Sequence, residues 1–175
     1  MKTYVALLRG INVGGHKKFL KADQLEMLSK LGVSSPRVCL HTGNWIFESS
    51  ESKENLKTKI SKLIKNEYGW EVPTIVRTHS EIKAILDKCP FKGETLKKSY
   101  FVILSKPPSQ EKIAEISKLT YPKETFYLTS QCVYLFSQEG ASKAKLSNNF
   151  FENKLKVEAT TRNYNTMLKL VELSA

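Results

Sequence analysis

The order in which predicted strands and helices follow one another constrains the fold of this chain more than any other feature. Apolar runs and turn residues predict strands at 3–9, 37–42, 44–49 and 73–78, with helices at 22–31 and 53–68. A helix at 80–89 and a connector with Pro90 and Gly93 follow. The order then begins again, with strands at 98–105, 125–129, 132–137 and 156–160 and helices at 109–119, 144–155 and 163–173.

This order, strand, helix, strand, strand, helix, strand, predicts a ferredoxin-like unit each time it occurs. The fold class is therefore α+β, with two tandem ferredoxin-like βαββαβ units, antiparallel sheets and extra helices. We expect unit one at 1–79, the helix and connector at 80–97, and unit two at 98–175. The halves share little residue-level similarity, so the predicted repeat is one of topology.

Residues at the helix ends support these boundaries. Gly32 predicts the end of the first helix, because glycine favours the position just after a helix. Ser80, with Glu81 in the first turn, predicts an N-cap for the helix at 80–89, and Ser109 predicts one for the next.

Several predicted strands are apolar at consecutive positions, notably the runs VALL, WIF, YFVIL and VYLF. A sheet covered on one face alternates apolar and polar residues, so these strands are expected to be buried on both faces. The simplest arrangement has the two sheets covering each other, within one chain or in a homodimer. The aromatic residues of these strands are then core rather than a base-stacking surface, namely Trp45, Phe47, Tyr134 and Phe136.

The chain is basic, with 28 Lys and Arg against 17 Asp and Glu and a net charge of +11. This balance is typical of nucleic-acid partners, but the excess is spread along the chain. Between Lys53 and Lys65 the lysines lie beside an apolar stripe of helical spacing, which is typical of a solvated helix face. The charge alone therefore leaves function open.

Cellular location follows from cysteine usage and from apolar run length. The three cysteines, Cys39, Cys89 and Cys132, form no CxxC pair and are expected to be reduced, buried thiols. No apolar run approaches the roughly 20 residues needed to span a bilayer, and the N-terminal run is too short for a signal peptide. We expect a cytoplasmic protein with no membrane partner.

A glycine-bearing basic loop after the first strand is the best candidate site. Glycines let backbone N–H groups approach a phosphate closely, and such loops bind anions. The pattern is not a P-loop, because His16 stands where the P-loop has lysine and no Ser or Thr follows. The alternative is a flexible, solvated connector. The anion-binding candidates here are Arg9, Gly10, Asn12, Gly14, Gly15, His16, Lys17 and Lys18.

Ferredoxin-like topology brings further groups to the same rim. The first strand and the second helix both end at the edge that carries the turn between strands two and three. The loop 9–18, the turn 41–44 and the segment 68–70 are therefore expected to lie near one another. This adds Asn44 to the candidates, since a binding site needs convergent polar groups beside apolar surface.

The segment 160–166 is the second candidate site. It is predicted to open the last helix, where Thr161 or Asn163 is a credible N-cap. The functional alternative is that Arg162 and Asn163, at the helix N-terminus, bind an anion.

Four of these segments resemble a known family. ALLRGINVGG (6–15), TGN (42–44), AKLSN (144–148) and TTRNYNT (160–166) are similar to the bacterial family called domain of unknown function 1697. The resemblance implies the doubled α+β architecture and assigns no activity, cofactor or catalytic residue. The family's hairpin usually reads Gln-Ser-Gly-Asn and here begins with His41, which argues against an essential role for that side chain.

Three functions remain open from the sequence. One is a binding protein for a polyanion such as nucleic acid, acting through the basic loop. Another is an enzyme or sensor for a small phosphorylated or carboxylated metabolite, with His16 or His41 as base and Arg9 or Arg162 holding an oxyanion. The third is a dimerising scaffold without ligand. The three histidines have no zinc-site spacing, so neither a metal nor a cofactor is expected.

Overall fold

The computed structural model describes residues 1–175 as two compact units, residues 1–83 with 169–175 and residues 84–168. The first unit forms an antiparallel sheet in the order β2-β3-β1-β4. In β1, Ala6 lies opposite Trp45 of β3 and Val76 of β4. The elements are β1 (Lys2–Leu8), α1 (Lys21–Lys30), β2 (Ser34–Cys39), β3 (Asn44–Ser49), α2 (Lys53–Tyr68) and β4 (Thr74–Thr78).

The second unit repeats this plan. Helix α3 (His79–Asp87) begins in the first unit and ends in the second, α4 (Gly93–Lys97) follows, and the sheet order is β6-β7-β5-β8. The remaining elements are β5 (Tyr100–Leu104), α5 (Gln110–Ser117), β6 (Glu124–Leu128), β7 (Cys132–Ser137), α6 (Asn148–Leu155), β8 (Ala159–Asn163) and α7 (Tyr164–Ser174), whose last residues belong to the first unit. The α+β class and the two tandem βαββαβ units are confirmed.

Each unit has an apolar core between its sheet and its helices. In α2 the buried residues recur every four positions, which directs one helix face at the sheet. The first core contains Tyr4, Ala6, Leu8, Trp45, Phe47, Leu56, Ile60 and Ile64. The second contains Val102, Leu104, Val133, Leu135, Phe151 and Leu155.

Burial of both strand faces is also confirmed. Five consecutive residues of β1, from Tyr4 to Leu8, are buried, although alternate residues of a strand point to opposite faces. The sheet aromatics are core as expected, with Trp45, Phe47 and Tyr134 buried and Phe136 partly so. All three cysteines are free and buried, as the sequence indicates. None of the helices is long and apolar enough to cross a membrane.

The start of α3 differs from the sequence prediction, which used Ser80 as the cap. The helix begins at His79, and Thr78 and Glu81 form a capping box. The Thr78 hydroxyl accepts a hydrogen bond from the Glu81 N–H at 3.2 Å, while the Glu81 carboxylate accepts from the Thr78 N–H at 2.8 Å. Two N–H groups are satisfied by this reciprocal pair, whereas a Ser80 cap satisfies one.

Other boundaries also differ in the structure. The second strand lies at Ser34–Cys39 rather than at 37–42, because residues 40–43 form the turn that the Asn44 amide closes on the Cys39 oxygen. The connector at 90–97 contains the short helix α4. The helix predicted at 144–155 begins at Asn148, because the Ser147 hydroxyl accepts the Phe150 N–H and fixes the N-terminus there. The last strand lies at 159–163 rather than 156–160, so Arg162 belongs to β8 and not to the start of α7.

Candidate functional site

The basic loop, residues 9–18, is an ordered hairpin turn at its tip. The His16 N–H donates to the Val13 oxygen at 3.0 Å, and Gly14 and Gly15 have φ values of +58° and +76°. Two successive residues with positive φ are typical of a type I′ turn, which strongly favours glycine. A side chain at Gly15 would meet no atom within 4 Å, so the requirement for glycine there is conformational. The glycines build the turn and leave its backbone exposed.

Asn12 closes this loop and ties it to the turn between β2 and β3. Its backbone N–H donates to the Lys17 oxygen at 3.1 Å, and its side-chain oxygen accepts the Phe19 N–H at 2.7 Å. Its side-chain amide donates to the Phe19 oxygen at 2.9 Å and to the His41 oxygen at 2.5 Å. Asn12, a candidate ligand by sequence, therefore has a structural role. The bond to His41 is accepted by its backbone oxygen, so it does not depend on the side chain at that position. This agrees with the departure from the family's usual residue there.

Gly43 lies where the turn between β2 and β3 packs on the first strand. The Leu8 N–H donates to the Gly43 oxygen at 2.8 Å, and Gly43 has a φ of +77°. A Cβ at this position would lie 2.8 Å from the Leu8 Cβ and 2.9 Å from the Ile11 Cδ1. Both the backbone conformation and the space at this position therefore require glycine.

Asn44 is a second candidate with a structural role. The residue is fully buried, and its amide donates to the Cys39 oxygen and to the Thr42 hydroxyl, both at 3.0 Å. These bonds close the turn from inside, because a buried amide without partners would be costly. The TGN motif is thus explained by the geometry of the turn.

Aromatic rings lie beside the basic loop. Phe19 is buried, and its ring centroid lies 5.0 Å from that of Tyr68 and 5.8 Å from that of Trp70. Tyr68 and Trp70 are stacked, with centroids 4.5 Å apart and planes at 21°. Both are only partly buried.

Two hydrogen bonds bring the loop against the chain that follows these rings. The Lys17 ammonium donates to the Glu71 backbone oxygen at 2.5 Å, and the Arg9 N–H donates to the Pro73 oxygen at 3.0 Å. The rings of Tyr68 and Trp70 therefore contact Phe19, just after the loop, and the chain just after these rings contacts the loop itself.

Positive and negative side chains lie on different sides of this rim. No acidic residue occurs between Arg9 and Ala22, and His16 and Lys18 are exposed. The nearby Glu71 carboxylate is paired with Lys65, whose hydrogen bond lowers the pKa of Glu71. The loop side of the rim is consequently basic.

Carboxylates lie instead toward the phenol end of Tyr68. Burial raises the pKa of the Tyr68 phenol, and the negative charges of Asp23 and Glu26 raise it further. Negative charge near Tyr68 therefore includes that of α1, whereas the loop side of the rim is basic.

Arg162 and Asn163 lie in the other unit and have structural contacts. Arg162 is 8% exposed, and its guanidinium donates to the Thr160 hydroxyl at 2.8 Å and to the Thr161 oxygen at 2.9 Å. Burial lowers the pKa of Arg162 to about 10. Asn163 caps α7, since its side-chain oxygen accepts the Thr166 N–H at 2.9 Å. These contacts of both residues are therefore explained within their own unit.

A pocket of about 690 Å³ lies in the first unit, at the end of β1 away from the basic loop. His79 and Ser174 line it, with 2.9 Å between Nδ1 and Oγ. The Ser174 hydroxyl donates to the Leu170 oxygen at 2.6 Å, so it accepts from His79. Neutral His79 then carries its proton on Nδ1 and has Nε2 as an acceptor.

No sequence signal pointed to this pair, because the two residues are 95 positions apart. Lys2 and Lys53 also line the pocket, and Lys53 is paired with Glu81 at 2.6 Å. The structure contains no cluster of three or more His, Cys, Asp or Glu residues that could hold a metal ion.

Comparison with known proteins gives a family and a fold. A family model described as "Protein of unknown function (DUF1697)" matches residues 1–134, which include the basic loop and the turn at Gly43. The chain belongs to this family. The family resemblance is thereby confirmed, and two of the four motifs, at 6–15 and 42–44, lie within the matched residues.

The solved structure of a conserved bacterial protein from Streptococcus pneumoniae is similar over 99% of both chains. Its TM-score is 0.78 at 24% sequence identity, a likeness that shows the fold alone. No curated protein matches this DUF1697 chain.

Proposed function

We propose that this DUF1697 protein binds a polyanion, with nucleic acid as the representative class, through its basic loop. The observation that supports the proposal most is the ordered tip of the loop, held by Asn12 with cations around an exposed turn. A preorganised loop loses little conformational freedom on binding, so its charges contribute more fully to affinity.

The chemistry of the loop suits phosphate contacts rather than base reading. Lys18 and His16 are exposed, and the exposed glycines of the turn admit close approach of a phosphate to the backbone. Binding of this kind releases counterions and is independent of sequence. The proposed role is therefore binding without a chemical step at the loop.

The test is a titration of fluorescent single-stranded RNA, duplex DNA and polyphosphate at low and near-physiological salt. The test variant is Lys17→Ala/Lys18→Ala. The matched control is Lys62→Ala/Lys106→Ala, which removes the same charge from exposed positions outside the loop. Because Lys17 also bonds to Glu71, Lys18→Glu is a second variant that keeps this bond.

We expect salt-dependent binding that both loop variants weaken and the control variant leaves nearly unchanged. Loss of two phosphate contacts should reduce the salt slope for single strands by about 1.4. Absence of binding at physiological salt, or an equal loss of affinity in the control variant, would show that the +11 charge acts only as general surface charge.

The second candidate function is binding of a small phosphorylated or carboxylated metabolite. The pocket of about 690 Å³ with Lys2, Lys53 and His79 favours this alternative. It predicts a saturable thermal shift with inorganic phosphate or a small carboxylate, lost in His79→Phe and retained in Lys17→Ala/Lys18→Ala. No shift with either anion would exclude it.

A cytoplasmic location and a homodimer are further parts of the proposal. Three free, buried cysteines are typical of a reducing compartment, which supports the first. Sedimentation analysis at several protein concentrations tests the second.

A further inference from the structure

We propose that the polyanion is a single-stranded nucleic acid and that one of its bases stacks on Trp70. This inference rests on the proposed function, because it names the partner of the basic loop. It adds an aromatic contact to a site otherwise defined by charge.

Trp70 is held in one orientation by its neighbours. Its ring is stacked on Tyr68 with centroids 4.5 Å apart, and the plane of the Phe19 ring lies at 77° to it with centroids 5.8 Å apart. Phe19 is buried and is fixed in turn by backbone bonds to Asn12. A ring held in this way loses little rotamer freedom when a base stacks on it.

The exposure of Trp70 sets it apart from the other tryptophan. Trp45 is fully buried, and its indole N–H donates to Gln24 within the core. Trp70 is partly exposed at the rim. The aromatic residues of β3 are buried as well, so the sheet offers no stacking surface in this unit and the rim is where a base can be bound.

Cations flank the ring on the loop side. The Lys17 ammonium is bonded to the backbone of Glu71, the residue after Trp70, and Lys18 directly precedes Phe19. A base on Trp70 therefore has its own phosphates beside lysines. Positive charge next to a fixed aromatic ring is the combination that binds single strands without sequence preference.

This arrangement favours single strands over duplexes. In a duplex the bases are stacked on one another and are not available to Trp70, whereas an unpaired base has a free face. A duplex is then bound through its phosphates alone, without a contribution from stacking on Trp70.

The experiment compares an oligouridylate with an abasic oligonucleotide of the same length, which has the same phosphates without bases. The variants are Trp70→Leu, Trp70→Phe, and Tyr127→Leu as a control that removes an exposed aromatic ring in the other unit. Tryptophan fluorescence of the wild type supplies a second readout, because Trp45 is buried and Trp70 is partly exposed.

We expect the wild type to bind the oligouridylate roughly 5- to 150-fold more tightly than the abasic strand, as one stacked base would give. Trp70→Leu should remove this difference without weakening the abasic strand, Trp70→Phe should restore part of it, and Tyr127→Leu should keep it. Oligouridylate should quench wild-type fluorescence more than the abasic strand does.

The outcomes separate this inference from the function on which it rests. If the wild type binds both strands equally while Lys17→Ala/Lys18→Ala loses both, the polyanion function stands and the stacking proposal is overturned. If the lysine variant changes neither affinity, the proposed function itself is wrong. The wild-type comparison needs no variant, so it decides the stacking even if Trp70→Leu folds poorly.

Discussion

The side-chain amide of Asn12 donates a hydrogen bond of 2.5 Å to the backbone oxygen of His41, 29 residues further along the chain. Together with two bonds to Phe19, it connects the basic loop to the turn between β2 and β3. Asn12 itself has a φ of +54°, a conformation that asparagine tolerates better than most residues. The rigidity of the candidate site therefore depends strongly on this one side chain.

The first prediction concerns Asn12→Gly, which keeps the backbone conformation and deletes the side chain. We expect the free energy of unfolding to fall by about 2 kcal/mol, because partly buried hydrogen bonds are lost. Urea denaturation measures this loss. Ser35→Gly is the control, since Ser35 is exposed and also has a positive φ, of +51°. An Asn12 variant as stable as the control would show that the loop needs no anchor.

The second prediction concerns Gly43→Ala, which combines a strained φ with a steric clash. The new Cβ would lie 2.8 Å from the Leu8 Cβ, whereas a Cβ at Gly10, with a similar φ of +74°, would meet nothing within 4 Å. We expect a loss of about 3 kcal/mol for Gly43→Ala and about 1 kcal/mol for Gly10→Ala. Thermal and urea unfolding of the two variants measure the difference. Equal losses would mean that the close packing on Leu8 contributes nothing.

Much of the first unit could be predicted from its sequence, because its signals are local. The lysine-rich helix at 53–68 shows clear 3.6-residue periodicity, and its predicted ends agree with α2. The meeting of the basic loop with the turn at 41–44 follows from topology. The roles of Asn12 and Asn44 could not be predicted, because a ligand-binding amide and a structural amide look alike until the partner across the chain is known.

In the second unit the prediction of strand boundaries failed where polar residues form the last strand. The segment 160–166 reads as a helix start, since Thr and Asn are frequent N-caps, but β8 continues through Asn163. Pairing with β5 overrides this preference, with Arg162 opposite Phe101 in the ladder. A sequence pattern cannot reveal that an arginine is buried when its partners are hydroxyl and backbone oxygens of its own strand.

The third prediction follows from the burial of Arg162. Arg162→Ala should lower the free energy of unfolding by about 3 kcal/mol, because it removes a packed stem and leaves buried oxygens without a donor. Arg162→Met, which keeps the stem volume, should cost less. Urea denaturation measures both, and polyanion binding by the folded fraction should be unchanged. A stable Arg162→Ala protein without polyanion binding would instead make Arg162 a ligand.

The fourth prediction concerns the capping box of α3 and its dependence on pH. Burial by itself raises the pKa of Glu81, but the hydrogen bonds from Lys53 and from the Thr78 N–H outweigh it, and the pKa is lowered from its ordinary value of 4.5. The carboxylate is thus favoured in the folded protein. Its stabilising effect is present above about pH 4.5 and is lost as the pH falls through the lowered folded-state value.

Glu81→Gln should accordingly lower the free energy of unfolding at pH 7 by about 1 kcal/mol, the usual contribution of a helix cap. The loss should shrink below pH 4.5, where the wild-type carboxylate is increasingly protonated and the two proteins become alike. Urea denaturation between pH 3 and pH 7 measures the difference, with Glu111→Gln in the first turn of α5 as control. A difference that stays constant with pH would mean that Glu81 acts through its shape and its neutral hydrogen bonds, and that its charge contributes nothing to the cap.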